Sequence, residues 1–443
     1  MRSASRDEHS ALKYATQFGW MIEVKPSQAQ GSVRAPPSKS YSHRALAVSL
    51  LCEAPSKIEN ISRARDVIAT INAIKSFGAK LSDNLTEIKI EPPQRPSIPD
   101  DVIDCGGSGT TIRFFAPIST LTEGGYTVLT GNDSLRRRPM GPIIDAINKL
   151  GGWAISSRMN GLPPLIVRGG GLKGGEVEID GSISSQFFSG LMIASTRFER
   201  GLKIKPIGEL VSRPYLEMTK EVLRRSGSHV ELNEEIKVEP VPPKGLEFKI
   251  PGDYGLAAFH MLTASVTGGK VIVEDLDSTV PQADYAAIDV LRSFGVEVQE
   301  VGSRVIVEGR PKRGSKLNLK DSPDIFPIAC VLASFVSEVS EIRGVAHARV
   351  KESDRVANMA SELKKVGVEV KELYDGLVIR GGSPKGGVKL DSHGDHRIFM
   401  ALLALAAATR EGCIIEGEDS VADSYPSFLE DSMKLGIDVR YNL

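Results

Sequence analysis

Apolar and polar positions along this chain repeat in two interleaved series. In the first, a polar, glycine-rich or serine-rich stretch runs into a strongly apolar helix. These starts fall at positions 39, 109, 185, 253, 324 and 395, at intervals of 70, 76, 68, 71 and 71 residues. The helices they open cover 45–52, 112–121, 187–195, 254–266, 325–336 and 398–409. A helix without a polar stripe must be buried on every side. In the second series, amphipathic helices end at Gly78, Gly151, Gly227, Gly295, Gly367 and Gly436, at intervals of 73, 76, 68, 72 and 69. Glycine at that place reads as a C′ residue in the left-handed region. After most of these ends come a strand, a short turn and a strand, as in 296–300 with 305–308 and 368–372 with 377–380. One more strand lies between the two helices of each unit, as at 270–274.

The chain therefore reads as an α/β protein of six βαβαββ units, grouped as two lobes of three with a boundary near Pro251. An ordinary doubly wound sheet would require two six-member series of matching spacing to be coincidence. At 443 residues the chain is too long for one ordinary core, which agrees with two lobes. Equivalent helices pointing the same way would bring six buried N-termini to one cleft. Their dipoles would make it electropositive before any side chain is counted.

Composition narrows the partners. Lysine and arginine total 55 against 56 acidic residues, a formal charge of −1. Duplex binders carry a basic excess, so nucleic acid is not the expected partner and local basic clusters must serve small anions. Cys52, Cys105, Cys330 and Cys413 are far apart, without a Cys-x-x-Cys pair, and read as buried free thiols of a reducing cytoplasm. No apolar run reaches membrane-spanning length. Residues 1–20 mix Arg2, Arg6 and Lys13 with Asp7 and Glu8, and read as an N-terminal extension rather than a signal peptide.

The chemistry is sought at the helix starts. Pro36-Pro-Ser-Lys-Ser40 gives the first a rigid lead-in with serine caps, and Lys39 and Arg44 add full charge to the dipole. A solvated lysine is the ordinary alternative for Lys39; the prolines and the buried helix favour an anion site. Gly106-Gly-Ser-Gly-Thr-Thr-Ile-Arg113 opens the second, either as an anion loop or as a tight structural turn. Of Arg136, Arg137 and Arg138, only Arg138, beside Pro139, is expected to reach the cleft. Ser184, Ser185 and Gln186 open the third helix; capping explains one of them, not all three. Ser212 begins the following amphipathic helix, where simple capping is the alternative. Asp324 precedes the fifth buried helix, where N-capping is the alternative. Lys351, Glu352 and Arg355 crowd one turn, where a surface salt-bridge face is the alternative. Asp395, His396 and Arg397 open the sixth. His393 and His396 invite a metal reading, but no third ligand follows at a recognisable spacing, so an anion site using Arg397 is preferred.

From about Met21 onward these runs resemble a known family. Ser38-Lys-Ser-x-Ser-His-Arg44, Ser108-Gly-Thr-Thr-x-Arg113, Arg138-Pro139, Ser184-Ser-Gln-Phe187, Val350-Lys-Glu-Ser-Asp-Arg355 and Asp395-His-Arg397, in this order, look like 5-enolpyruvylshikimate-3-phosphate synthase. The resemblance implies two inside-out α/β lobes with the active site between them. One lobe spans 36–250; the other combines 21–35 with 251–443. It implies transfer of the enolpyruvyl group of phosphoenolpyruvate to the 5-hydroxyl of shikimate 3-phosphate, releasing phosphate, on the way to chorismate and the aromatic amino acids. No metal or organic cofactor is implied, nor any partner beyond the two substrates, and a monomer is expected.

By motif match, the resemblance implies that Lys39, Arg138, Arg355 and Arg397 hold phosphoenolpyruvate, with Gly109 shaping that subsite and Gln186 between the substrates. It gives the shikimate carboxylate to Ser40 and Arg44, and its phosphate to Ser184, Ser185, Ser212 and Lys351. It makes Asp324 the base for the attacking hydroxyl and Glu352, with Lys39, the acid–base group at the methylene. Glyphosate would compete with phosphoenolpyruvate. Gly107 and His347 stand where the family usually has Asn, and Asp423 where many members have Lys. An enolpyruvyl transferase acting on a UDP-sugar is the nearest rival, but it has a cysteine in the loop at 132–138, where this chain has none. A non-catalytic anion-binding or RNA-binding module is the rival from another class; the charge balance counts against RNA.

Overall fold

The computed structural model describes residues 21–84 and 86–442, so the extension read at 1–20 lies outside the described residues. The described strands form six four-stranded sheets of one pattern. In a representative unit, Lys316–Asn318 runs parallel to Ser340–Arg343. Ser340–Arg343 pairs antiparallel with Gly376–Arg380, and that strand pairs antiparallel with Glu369–Leu373. The helix Phe326–Ser334 joins Lys316–Asn318 to Ser340–Arg343, and Arg355–Lys365 joins Ser340–Arg343 to Glu369–Leu373.

Local sequence explains both helix types. Every residue of Phe326–Ser334 is buried, as an unbroken apolar run requires. Arg355–Lys365 buries Val356, Met359, Ala360 and Leu363 at helical spacing and turns Lys364 and Lys365 outward. All six glycines of the second series have positive φ, between 79° and 96°. A residue with Cβ would be strained there, which is why glycine marks each end.

Three strands close the pattern at long range. Met21–Val24 lies between Cys413–Glu416 and Val439–Asn442, with Ile22 opposite both Ile415 and Tyr441. Gln30–Arg34 is the parallel edge beside Lys270–Glu274, and Glu247–Lys249 is the parallel edge beside Ser56–Glu59. The buried apolar residues accordingly fall into two cores. One draws on residues between Tyr41 and Ile250, together with Val280. The other draws on residues between Ile22 and Ala35 and between Tyr254 and Ile437. Between the lobes the two connections run side by side, Ser38 N donating to Pro251 O and Asp253 N to Pro36 O, each at 2.8 Å. Among the described residues no helix is long and apolar enough to cross a membrane. All four cysteines are buried and unpaired.

Candidate active site

The six buried helices begin at one cavity. Lys39 and Ser40, Gly109 and Thr110, Ser184 to Gln186, Asp253, Asp324, and His396 with Arg397 all line it. Four starts are capped by side chains: Ser38 accepts from Tyr41 N, Ser108 from Thr111 N, Asp253 from Leu256 N and Asp395 from Arg397 N. The other two differ in a way that serves the cavity. Ser185 makes no capping bond, and Asp324 sits in a 3-10 turn, Pro323–Ile325, ahead of its helix. Its carboxylate takes cations instead of amides. Six cationic side chains, Lys39, Arg113, Arg138, Lys351, Arg355 and Arg397, line the cavity with four acidic ones, Asp66, Asp253, Asp324 and Glu352. Two positive charges are therefore left over, besides the amide ends. That is a site built for anions.

Each cation is held by geometry the fold imposes. Lys39 Nζ lies 2.9 Å from Asp66 Oδ2 and donates to Ser424 Oγ at 3.0 Å. Burial lowers its pKa, but Asp66 and Glu352 outweigh burial and keep it above the ordinary lysine value. Arg138 is buried; it donates to Ser134 Oγ at 3.0 Å and lies 3.6 Å from Glu352 Oε1. Of its neighbours in sequence, Arg136 pairs with Asp133 and Arg137 is exposed. Arg355 is 1% exposed and contacts Asp395, Asp324 and Glu352 at 2.7, 2.6 and 2.7 Å. Arg397 Nη2 lies 3.0 Å from Asp324 Oδ2, and Lys351 Nζ lies 3.9 Å from Asp324 Oδ1. Burial pushes Lys351 below its ordinary value against the pull of Asp324.

The two central carboxylates share these cations. Burial alone would raise Asp324, yet Arg397, Lys351 and Arg355 hold it far below the usual carboxylate range. Glu352 is held well down against burial by Arg355, Arg138, His396 and Lys39. Both are ionised, and both are weak bases while those cations face them. Anions that draw the guanidiniums away would raise both.

The cavity gathers thirteen of the fourteen residues singled out in the sequence: Lys39, Ser40, Gly109, Arg138, Ser184, Ser185, Gln186, Ser212, Asp324, Lys351, Glu352, Arg355 and Arg397. The other, Arg44, lies behind it. Arg44 is 2% exposed and donates to Ser40 O, Thr219 Oγ1, Tyr215 O and Ser189 Oγ. Burial lowers its pKa to about 10. Ser212 reaches the cavity from a left-handed conformation, φ 57°, with its amide on Lys320 O across the lobes.

Other lining residues carried no assigned role in the sequence. Arg113 donates to Gln186 Oε1 at 2.7 Å, its Nε has no hydrogen-bond partner among the described residues, and burial and Arg138 lower it to about 9. It stood inside a quoted motif, so its charge was the available signal. Asp66 and Tyr215 gave none, because their partners are distant in the chain; His396 is visible at the sixth helix start, where its reading as a metal ligand is set aside. His396 is buried, and neither ring nitrogen has a hydrogen-bond partner among the described residues. His393 turns away to Glu362 Oε1 at 2.9 Å, so the two histidines do not converge.

The three departures also have structural answers. A Cβ on Gly107 would lie 3.1 Å from Asn132 Nδ2, so the Asn132 carboxamide already stands beside that position. His347 lies in the cavity with Nε2 3.5 Å from Ser212 Oγ, and burial followed by Lys351 lowers it to about 3, leaving a neutral ring. Asp423 is turned to Arg65 Nε at 3.2 Å.

With this geometry in hand, similarity to known proteins decides the family. A family model described as EPSP synthase (3-phosphoshikimate 1-carboxyvinyltransferase) matches residues 24–432. The chain belongs to the EPSP synthase family. The 3-phosphoshikimate 1-carboxyvinyltransferase of Methanothermobacter thermautotrophicus is 40% identical over 414 residues, covering 93% of this chain and 97% of that protein. The enzyme of the same name from Methanocella arvoryzae is 40% identical over 425 residues, 95% of this chain and 99% of that one. Among solved structures, an EPSP synthase from Acinetobacter baumannii superposes with a TM-score of 0.80 at 25% identity, covering 96% of this chain and all of that one. The enolpyruvyl transferase NikO from Streptomyces tendae shares the fold, with a TM-score of 0.77 at 16% identity over 96% of this chain and 99% of that one.

Proposed function

We infer that this chain transfers the enolpyruvyl group of phosphoenolpyruvate to the 5-hydroxyl of shikimate 3-phosphate and releases phosphate, the activity of its family. The observation that carries the reading is the meeting of all six helix starts with Lys39, Arg138, Arg355 and Arg397 around two ionised carboxylates. Both substrates are multiply anionic, and each step moves a proton or a negative charge.

In our assignment, Lys39, Arg138, Arg355 and Arg397 receive phosphoenolpyruvate, with Gly109 beneath it and Gln186 between the substrates. Ser184, Ser185, Ser212 and Lys351 hold the phosphate of shikimate 3-phosphate. Ser40 meets its carboxylate with Arg44 bonded to the Ser40 carbonyl behind; Arg44 reaches the ligand by giving up one of its bonds to Thr219, Ser189 or Tyr215.

Arrival of phosphoenolpyruvate draws Arg355 and Arg397 toward the ligand and lifts both central carboxylates. Asp324 then takes the proton of the 5-hydroxyl as its oxygen bonds to C2 of phosphoenolpyruvate. Glu352, having taken a proton from solvent as phosphoenolpyruvate draws Arg355 away, gives it to the methylene carbon with Lys39 assisting, and a tetrahedral intermediate results. Glu352 takes a proton back from the new methyl group as the bond from C2 to the phosphate oxygen breaks. The fixed cations stabilise charge on the departing phosphate, where preorganised electrostatics act most strongly.

We also place the lobe limits at 36–250 and at 21–35 with 251–443; the strand pairing of Met21–Val24, Gln30–Arg34 and Glu247–Lys249 supports them. A cytoplasmic location fits the four unpaired, buried thiols. A single chain suffices for activity, since one copy contributes every residue assigned. The test is phosphate release that requires both substrates together. In parallel, shikimate 3-phosphate will raise the melting temperature and UDP-N-acetylglucosamine will not; protection by the nucleotide sugar alone would overturn the substrate assignment.

A further inference from the structure

Arg65 and Asp66 open the helix Arg65–Ser76 side by side and face different partners. Asp66 takes Lys39 within its own lobe. Arg65 crosses the cleft: Nη2 lies 2.8 Å from Asp419 Oδ2 and donates to the Asp419 carbonyl, and Nε lies 3.2 Å from Asp423 Oδ1. Both acids belong to the 3-10 turn Glu418–Asp423 of the opposite lobe. The next residue, Ser424, accepts from Lys39 Nζ at 3.0 Å. Lys39 is thus fixed by one residue from each lobe, and Arg65 ties down the turn that supplies the second.

Asp66 and Glu352 repel charge on the Asp423 carboxylate and Lys39 attracts it, so without Arg65 the lysine is the cation left acting on it among these groups. The carboxylate would then compete with an incoming phosphate for that lysine. We propose that Arg65 is a positioning residue for phosphoenolpyruvate: it clamps the 418–424 turn across the cleft, sets Ser424 on Lys39 and holds the Asp423 carboxylate away from the phosphate. This rests on the reading of Lys39 as a phosphoenolpyruvate ligand. The guanidinium suits the task because its rigid fork meets three acceptors at once, which lysine cannot match.

Titration of Asp423 gives the clamp a pH dependence. Burial, then Asp66 and Glu352, raise its pKa to about 6 against Arg65 and Lys39. Asp419, on the same turn, shares Arg65 with it. As pH falls through 6, Asp423 neutralises and Arg65 loses one partner.

The experiment measures KM for each substrate, and kcat, for the full-length wild type, Arg65→Met, Arg65→Lys, Asp423→Asn and the Arg65→Met/Asp423→Asn pair, with KM for phosphoenolpyruvate followed from pH 5 to 8. Arg65→Met is expected to raise KM for phosphoenolpyruvate roughly fivefold at pH 7.5, the upper end for a partly exposed ion pair, with KM for shikimate 3-phosphate unmoved. Arg65→Lys recovers part of the loss, and Asp423→Asn in the Met background recovers most of it by removing the freed carboxylate. The substrate phosphate titrates near pH 6 as well, so the comparison is between proteins: the wild-type excess in affinity over Arg65→Met shrinks below pH 6. An unchanged KM in Arg65→Met, an equal rise for both substrates, or no recovery in the double variant overturns the proposal. Failure of the underlying reading looks different: the wild type itself would release no phosphate with the two substrates.

Discussion

Arg355 and Asp395 meet side by side, Nε to Oδ2 at 2.7 Å and Nη2 to Oδ1 at 3.3 Å, with both side chains shut off from solvent. The outer edge of the same guanidinium takes Asp324 at 2.6 Å and Glu352 at 2.7 Å. One carboxylate therefore anchors Arg355 from behind, and two others occupy the face it offers to the cavity. Asp395 also accepts from Arg397 N, so a single side chain fixes the start of the sixth buried helix and the arginine of the fifth unit.

Asp395→Ala removes one partner of a buried pair together with a helix cap. Denaturant unfolding is expected to show a loss of about 3–5 kcal/mol, dominated by the uncompensated guanidinium. Asp395→Asn keeps a capping oxygen and loses less. A loss under about 1 kcal/mol in the alanine variant would mean that Arg355 needs no rear anchor.

Asp324→Ala separates chemistry from binding. Its turnover is expected to fall by about 10²- to 10⁴-fold, the range for a positioned acid–base group. Shikimate 3-phosphate is still bound, and phosphoenolpyruvate binds at least as well, because Asp324 occupies Arg355 and Arg397 in the free enzyme. Calorimetric titration of each substrate checks this; near-normal turnover would remove Asp324 from the role of base.

How much of this was legible in the sequence depends on range. The helix starts were, since an apolar run preceded by a cap or a glycine loop is a local signal. All six of them line the cavity. Pairings across the lobes were not. Lys39 with Ser424 spans 385 positions, and Ser134 with Glu352 spans 218. The direction of Arg44 was not legible either: it lies in the buried part of its helix, where no solvent face orients a long cation, and packing against Thr219 and Ser189 decides. For Asp324 the spacing left cap and catalyst open. The 3-10 turn settles the geometry, because it carries the carboxylate ahead of the helix amides and toward Arg397.

A buried acid that the chemistry does not use predicts a pH effect on stability. Asp284 accepts from Tyr215 OH across the lobes at 3.0 Å and is raised to about 7, chiefly by burial, against the pull of Arg397. An unfolded aspartate titrates at about 3.9. Between these values the native state keeps a proton that the unfolded chain has lost. Its contribution is therefore complete below pH 4 and is lost as pH rises through 7. Asp284→Asn keeps an acceptor for Tyr215 and removes the titration. The variant is expected to gain on the wild type between pH 5 and pH 8 in denaturant unfolding; a constant difference would show that Asp284 is ionised throughout.

Gly109 offers the narrowest test of the phosphoenolpyruvate subsite. A Cβ there would lie 3.0 Å from Arg138 Nη1 and 3.1 Å from Arg113 Nη1, tighter than ordinary contact. Neither guanidinium is locked: Arg138 bonds Ser134 and lies 3.6 Å from Glu352, Arg113 bonds Gln186 and lies over the Phe187 ring, and among the described residues neither Nε has a hydrogen-bond partner. They can yield by a few tenths of an ångström, so Gly109→Ala is expected to fold with little change in melting temperature. The displaced cations then meet the smaller anion less well. A roughly tenfold rise in KM for phosphoenolpyruvate is expected, with KM for shikimate 3-phosphate near its original value. Glyphosate, which the family resemblance implies would compete for the same subsite, is expected to lose inhibition alongside. Equal effects on both substrates would place Gly109 beneath the boundary between them, and no effect on either would show that the arginines move aside without loss.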